Sequence, residues 1–180
     1  MKASEILKRL SSGEMIPLLR EIYSENIDEQ VLRYKEAIQS FMDYYGDQDI
    51  MIFSVPGKCE IGGNHTDHQQ GRVLASAIQL DSIGIVAKQD RYVKVIYNEL
   101  NINEIDTENI KYNEAKKGTM ESLINGVLFG LNQKNYHIGG FNAYIQCDIP
   151  RNVGLGSSAN FNIMIGTIIN YLFEYPQTTG

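Results

Sequence analysis

The sequence predicts an α+β fold, a mixed or antiparallel sheet with helices packed on one side, and three observations support it. Short β-rich runs occupy residues 50–55, 82–88, 92–97 and 141–149. An amphipathic stripe begins after Thr119, and a turn of Gly and Ser joins the last β-run to a strongly apolar helix. At 180 residues, 43% hydrophobic and 21% charged, the chain has the length and composition for one domain with a real core.

Asp28 is placed to cap a helix whose apolar positions Val31, Tyr34, Ile38, Phe41, Met42 and Tyr45 recur at helical spacing, with Gly46 as its stop. A helical segment therefore precedes the first sheet element. Residues 50–55 form an apolar run too short for such a helix, closed by Pro56-Gly57, and read as a buried strand feeding a loop. The runs 82–88 and 92–97, parted only by Gln89-Asp90-Arg91, read as a hairpin. Residues 98–117 are polar with little periodicity and are expected to be an exposed connection. Thr119 caps the next helix, where Met120, Leu123, Ile124, Val127, Leu128 and Leu131 make a core-facing stripe. Phe141, Ala143, Ile145 and Cys147 alternate with Asn142, Tyr144, Gln146 and Asp148, the pattern of a half-buried strand, and Pro150 ends it. Residues 161–173 carry Ile163, Met164, Ile165, Ile168, Ile169 and Leu172 around most of a helical wheel, as a buried helix does, until Pro176 breaks the pattern.

Several function classes fall away on composition. The net charge of −6, with no Lys/Arg cluster among the aromatic residues, gives no electrostatic footprint for nucleic acid. Cys59 and Cys147 stand far apart with no Cys-x-x-Cys or Cys/His spacing, so a metal clamp or disulfide framework lacks support and a reducing cytoplasm fits. The start, Met1-Lys2-Ala3-Ser4-Glu5, carries acid early, and no apolar run approaches a signal peptide's core or a membrane span. A soluble cytoplasmic protein with small-molecule partners is the expectation.

A strand, the loop Gly154-Leu155-Gly156-Ser157-Ser158 and a buried helix, in that order, make a device for holding anions. The first N–H groups of a helix lack intrahelical partners and sit at the positive end of its dipole, while glycines let the backbone approach phosphate closely. Ser157 and Ser158 add hydroxyls that can bond phosphate or ligate a hard cation such as magnesium. No Gly-Lys-Ser/Thr ends the loop, so it is not a Walker P-loop. Gly154-x-Gly156-x-x-Ala159 also satisfies the dinucleotide fingerprint, with Glu174 about twenty residues on, but no strand stands between to carry that acid. A Ser-capped tight turn without any ligand fits the loop as well. The segment Asn64-His65-Thr66-Asp67 is polar between apolar flanks and offers the paired donors and acceptors that sugar hydroxyls need; an ordinary surface turn is its alternative. His65 and His68 alone are too few for a tetrahedral metal site.

Taken together, Pro56-Gly57-Lys58, Gly63-Asn64-His65-Thr66-Asp67, Gly71, Val73-Leu74-x-x-Ala77-Ile78 and Gly154-Leu155-Gly156-Ser157-Ser158-Ala159 resemble the signatures of the galactokinases, members of the GHMP kinase superfamily. The resemblance implies the N-terminal domain fold of that superfamily, with residues 1–46 a helical segment and 47–180 an incomplete ATP- and sugar-binding domain. It implies phosphoryl transfer from MgATP to the anomeric hydroxyl of galactose. By position, Asn64, His65, Thr66 and Asp67 would bind sugar. Asn152, Val153, Gly154, Leu155, Gly156, Ser157 and Ser158 would embrace the ATP phosphates, with Ser158 on the magnesium.

Three residues depart from the family pattern. Lys58 stands where galactokinases usually carry a transition-state arginine, and gives a point charge without the bidentate fork. Asn64 replaces a glutamate of the sugar loop, and Glu60 replaces an asparagine before it. A lost carboxylate is compatible with galactose held by other contacts or with a uronic acid, which a glutamate would repel. By the family's layout the catalytic aspartate, the glutamate completing the magnesium site and the last glycine motif lie beyond Gly180, together with a C-terminal domain. No turnover is expected from these residues alone, and a non-catalytic sugar or nucleotide sensor is the reading from a different class.

Overall fold

The computed structural model describes residues 1–63, 66, 70–110, 116–150 and 154–174. Its centre is a five-stranded mixed sheet of order β1-β2-β5-β3-β4, formed by β1 (Met51–Gly62), β2 (Leu74–Gln89), β3 (Tyr92–Tyr97), β4 (Leu100–Asp106) and β5 (Gly140–Cys147). Helices α4 (Met120–Asn132) and α5 (Ser157–Ile169) lie together on one face. The N-terminal helices α1 (Ala3–Ser11), α2 (Ile16–Ile22) and α3 (Ile27–Tyr45) cover the other.

The two-residue period of the strands divides the core in two. Val86, Val93, Val95, Phe141, Ala143 and Ile145 face Ile124, Leu128, Phe161, Met164, Ile165 and Ile168 of α4 and α5. Ile83, Ile85, Ala87, Ile96 and Tyr144 face Ile6, Leu10, Tyr34, Ile38 and Phe41. The alternation in β5 was expected to mark a half-buried strand; instead Gly140 to Ile145 are all buried, because α3 covers the face that carries Asn142 and Tyr144. Helix α3 ends at Gly46 as its sequence predicts, but its start differs: Asn26, with φ +56°, precedes the helix, and Asp28 lies in the first turn. Thr119 does cap α4, its hydroxyl accepting from the Ser122 N–H at 3.1 Å.

Two expectations about the sheet are corrected. Strand β1 does not stop at Val55 but runs through Pro56-Gly57 to Gly62, an edge strand where a proline is tolerated. The runs around 82–88 and 92–97 are not a hairpin, because β5 inserts between them, antiparallel to β2 and parallel to β3. The link from Gln89 to Tyr92 passes over the start of β5 at Gly140, whose N–H donates to the Asp90 carbonyl at 3.2 Å. A Cβ there would sit 2.6 Å from the Tyr92 backbone, so only glycine permits the crossing. The hairpin partner of β3 is β4, inside the stretch expected to be a plain connection. Asn98 and Glu99, at φ +44° and +65°, make the two-residue turn between them.

Candidate functional site

Helix α5 follows β5 through the Gly/Ser loop and buries one face, with Phe161, Met164, Ile165, Ile168 and Ile169 each at most 1% exposed; Ile163, expected among the buried positions, is 55% exposed, because only one side of the helix meets the core. It nests close to the sheet where β2 carries Gly84, whose hydrogen leaves the Met164 sulfur 3.1 Å from the position of a Cβ. The second turn of the helix is therefore packed directly on the sheet. Gly154 and Gly156 both take positive φ, +78° and +73°, and Gly156 is the residue preceding the helix, with no side chain capping it. The Asn160 N–H closes the first turn onto the Gly156 carbonyl at 2.8 Å. The N–H groups of Ser157, Ser158 and Ala159 are then those an α-helix leaves without an intrahelical acceptor, at the positive end of its dipole. Ser158 is exposed and Ser157 half-buried, and both line a hollow of about 160 Å³ with Tyr97, Met120, Leu123 and Phe161. The Tyr97 and Phe161 rings meet edge to face there, 5.1 Å between centroids.

Lys58 comes to the same place from β1. Its N–H donates to the Leu155 carbonyl at 3.2 Å, and its stem covers Gly156 so closely that a Cβ on that glycine would lie 3.0 Å from the lysine Cγ. The ammonium bonds the Glu60 carboxylate at 2.7 Å. Two residues apart on a strand, these two side chains share a face. The structure thus brings the Lys58–Glu60 ion pair, two hydroxyls and a helix N-terminus to one loop, a set able to meet an anion where the ammonium turns from Glu60 to it.

The sugar-loop residues are placed only in part. Asn64, His65 and Asp67 lie outside the described residues, as do Asn152 and Val153 of the phosphate loop. Thr66 is described: its hydroxyl donates to the Gly63 carbonyl and its own carbonyl accepts from the Gly71 N–H, each at 2.8 Å. Gly71 leaves no room for a Cβ against Thr66, and Gly63, at φ +102°, leaves none against the Arg72 carbonyl. The glycines around this segment serve its closure.

Sequence reasoning missed Asn160. It is 2% exposed, and its Nδ2 donates to the Val55 carbonyl at 2.6 Å and the Pro56 carbonyl at 3.1 Å while its Oδ1 accepts from the Ser82 hydroxyl. The signal was a polar residue in line with Met164 and Ile168 on the buried stripe of α5. Glu174, the acid of the rejected dinucleotide fingerprint, accepts from the His137 N–H at 2.5 Å and ties the π-helical turn Asn170–Glu174, which continues α5, to the approach to β5. A larger hollow, about 550 Å³, opens beside the α2 end among Ile22, Tyr23, Ser54, Pro56 and Ile78. Its acid, Asp81, is already engaged by Arg33, Tyr23 and Ser54, so it offers a ligand little that is not already bonded. Among the described residues no three His, Cys, Asp or Glu side chains gather as a metal cluster, and no helix is long and apolar enough to cross a membrane.

Residues 39–88 match the family model described as the galactokinase galactose-binding signature. A galactokinase of Streptococcus suis is 32% identical over 145 residues, spanning 78% of this chain and 37% of that protein. The chain is a homologue of the galactokinases. One from Pyrococcus furiosus is 36% identical over 119 residues, covering 66% of the chain and 33% of the relative. The crystal structure of Lactococcus lactis galactokinase complexed with galactose superposes with a TM-score of 0.69 at 26% identity, over 76% of this chain and 36% of that one. Methanococcus jannaschii mevalonate kinase shares the fold, with a TM-score of 0.56 at 24% identity over 71% of this chain and 42% of that one. The chain thus spans little more than a third of the galactokinases it matches, and its fold is that of the GHMP kinases.

Proposed function

We propose that this chain is the ATP- and sugar-binding portion of a galactokinase-like sugar kinase, which transfers the γ-phosphoryl group of ATP to the anomeric hydroxyl of galactose. Residues 1–46 are its helical segment and 47–180 the incomplete first kinase domain. The observation that carries the reading is the meeting of Lys58 with the start of α5 at Gly156. Phosphoryl transfer is catalysed by positioning and by stabilising charge on the transferred group, and these residues supply both.

The Ser157, Ser158 and Ala159 N–H groups hold phosphate oxygens, together with the backbone of Asn152, Val153, Gly154, Leu155 and Gly156. Lys58 places its ammonium beside them. Magnesium, when bound, neutralises phosphate charge, and the exposed Ser158 hydroxyl is an oxygen ligand suited to that hard cation. The hollow beside the serines, walled by Tyr97, Met120, Leu123 and Phe161, receives the apolar part of the nucleotide. Asn64, His65, Thr66 and Asp67 orient the sugar. The free thiols of Cys59 and Cys147 suit a reducing cytoplasm. The activity is proposed for a protein of the relatives' full length, of which this chain matches 37% in the Streptococcus suis case.

Asn64, standing where galactokinases usually carry a glutamate, supports a second reading in which the sugar is a uronic acid. A panel of sugars with MgATP, given to this chain joined to the remaining part of a galactokinase relative, separates the two. Galactose is expected to be phosphorylated with the highest kcat/KM. Turnover of galacturonic acid with none of galactose would overturn the galactose assignment, and nucleotide binding without turnover of any sugar would make the protein a sensor.

A further inference from the structure

Asn160 sits in the first turn of a helix whose other buried residues are apolar, and packing alone would be served by a leucine there. Its amide is instead fully used, with two bonds donated to successive carbonyls of β1 and one accepted from Ser82 of β2. Those carbonyls, Val55 and Pro56, stand where the β1–β2 ladder shifts register before Lys58. Two residues on, Lys58 bonds Leu155 through its N–H and lies across Gly156. Residues 55–58 of the strand and 155–160 of the loop and helix are therefore joined at both ends by hydrogen bonds. A buried amide whose partners are all present adds little net stability over an apolar residue but selects one arrangement of its neighbours.

We infer that Asn160 is a positioning residue of the phosphate site: it fixes the strand segment carrying Lys58 against the start of α5, so that the lysine ammonium and the helix N–H groups address the same anion. It acts through Lys58 and does not itself face the ligand. The inference rests on reading the Gly/Ser loop as a phosphate cradle, and its consequence is that Asn160 and Lys58 are coupled in anion binding. Displacement of a charged group by about 1 Å in such a site is enough to change its contribution several-fold.

The test has two arms on the 180-residue chain. In NMR spectra, Asn160→Ala is expected to move the backbone amide signals of Lys58 and Gly156 and to weaken the ammonium signal of Lys58, while the amides of Ile124 and Leu128 on α4 keep their positions. Unchanged Lys58 and Gly156 signals would overturn the inference whether or not any nucleotide binds. In titrations with MgADP, Asn160→Ala is expected to weaken binding by about tenfold in the wild-type background and by less than about threefold in a Lys58→Met background. An equal loss in both backgrounds makes Asn160 a structural residue only and overturns the coupling. Should Asn160→Ala not fold, Ser82→Ala removes one bond to the same amide and is expected to move the same signals by less; no movement would count against the proposal. Absence of MgADP binding by the wild-type chain removes the nucleotide reading of the loop, and the NMR arm still decides whether Asn160 positions Lys58.

Discussion

Asp81 is 3% exposed and accepts from Arg33 at 2.6 Å, Tyr23 at 2.6 Å and Ser54 at 2.5 Å, so one carboxylate joins α2 and α3 to strands β1 and β2. Arg33 also meets Asp148 at 2.8 Å. Removing one partner of a buried ion pair leaves the other charge uncompensated, so Asp81→Ala is expected to destabilise the chain by about 3 kcal/mol. Urea denaturation reads this directly, and a loss below about 1 kcal/mol would show that Asp148 alone satisfies Arg33. Asp148 itself is held above the usual carboxylate range: burial raises it, the Arg33 guanidinium pulls it back, and Asp81 adds repulsion. The native state therefore keeps this proton at pH values where the unfolded chain has released it. Its contribution to stability falls as pH rises from the ordinary aspartate value through the raised native one. Asp148→Asn should remove that part of the slope above the ordinary aspartate value of about pH 4, read from urea midpoints; an unchanged slope would contradict the assignment.

Helix α4 provides two substitutions of opposite sign. Its Thr119 cap bonds the Ser122 N–H, so Thr119→Ala is expected to lower stability by about 1 kcal/mol. Gly126 lies exposed in the same helix with nothing within 4 Å of a Cβ, so Gly126→Ala is expected to raise it by about 0.5–1 kcal/mol. Thermal melts of the two variants moving in the same direction would contradict the helix as described. This helix was legible because its cap and stripe are local signals; α5, which no side chain caps, was legible from its run of apolar residues alone. The pairing of strands was not. Nothing near 82–97 signals that β5, some fifty residues later in sequence, enters between β2 and β3; the nearest local trace is Gly140, and its glycine is required only because another segment crosses it. Strand β4 escaped notice because Ile102 and Ile105 alone face its core, too few for a two-residue period. The Asn98-Glu99 turn that marks it needs positive φ, for which Asn is an ordinary signal and Glu is not. The Gly/Ser loop that opens α5 was readable as a short string of glycine and serine. Its alignment with Lys58 depends on Asn160, whose partners lie 78 to 105 residues away in sequence.

At the scale of the molecule, the sheet separates two jobs. The α4–α5 face carries the Gly/Ser loop proposed to hold phosphate, and the α1–α3 face anchors the sheet through Phe41, Tyr34 and the Arg33–Asp81 pair. Strand β1 belongs to both, since Ser54 bonds Asp81 on one face and Lys58, four residues on, reaches Gly156 on the other. The proposed ligand of this chain is nucleotide phosphate, a reading that rests on the kinship with galactokinases, the chemistry of the Gly/Ser loop and the placement of Lys58. Calorimetric titration of the chain with MgADP, beside its Gly156→Val variant, tests that claim most directly. A valine would be forced against Lys58 at a residue held at positive φ. Saturable binding by the wild-type chain that is lost or weakened at least about tenfold in the variant is the predicted result, a difference of about 1.4 kcal/mol. Absence of binding by the wild-type chain, or equal binding by both proteins, would contradict it.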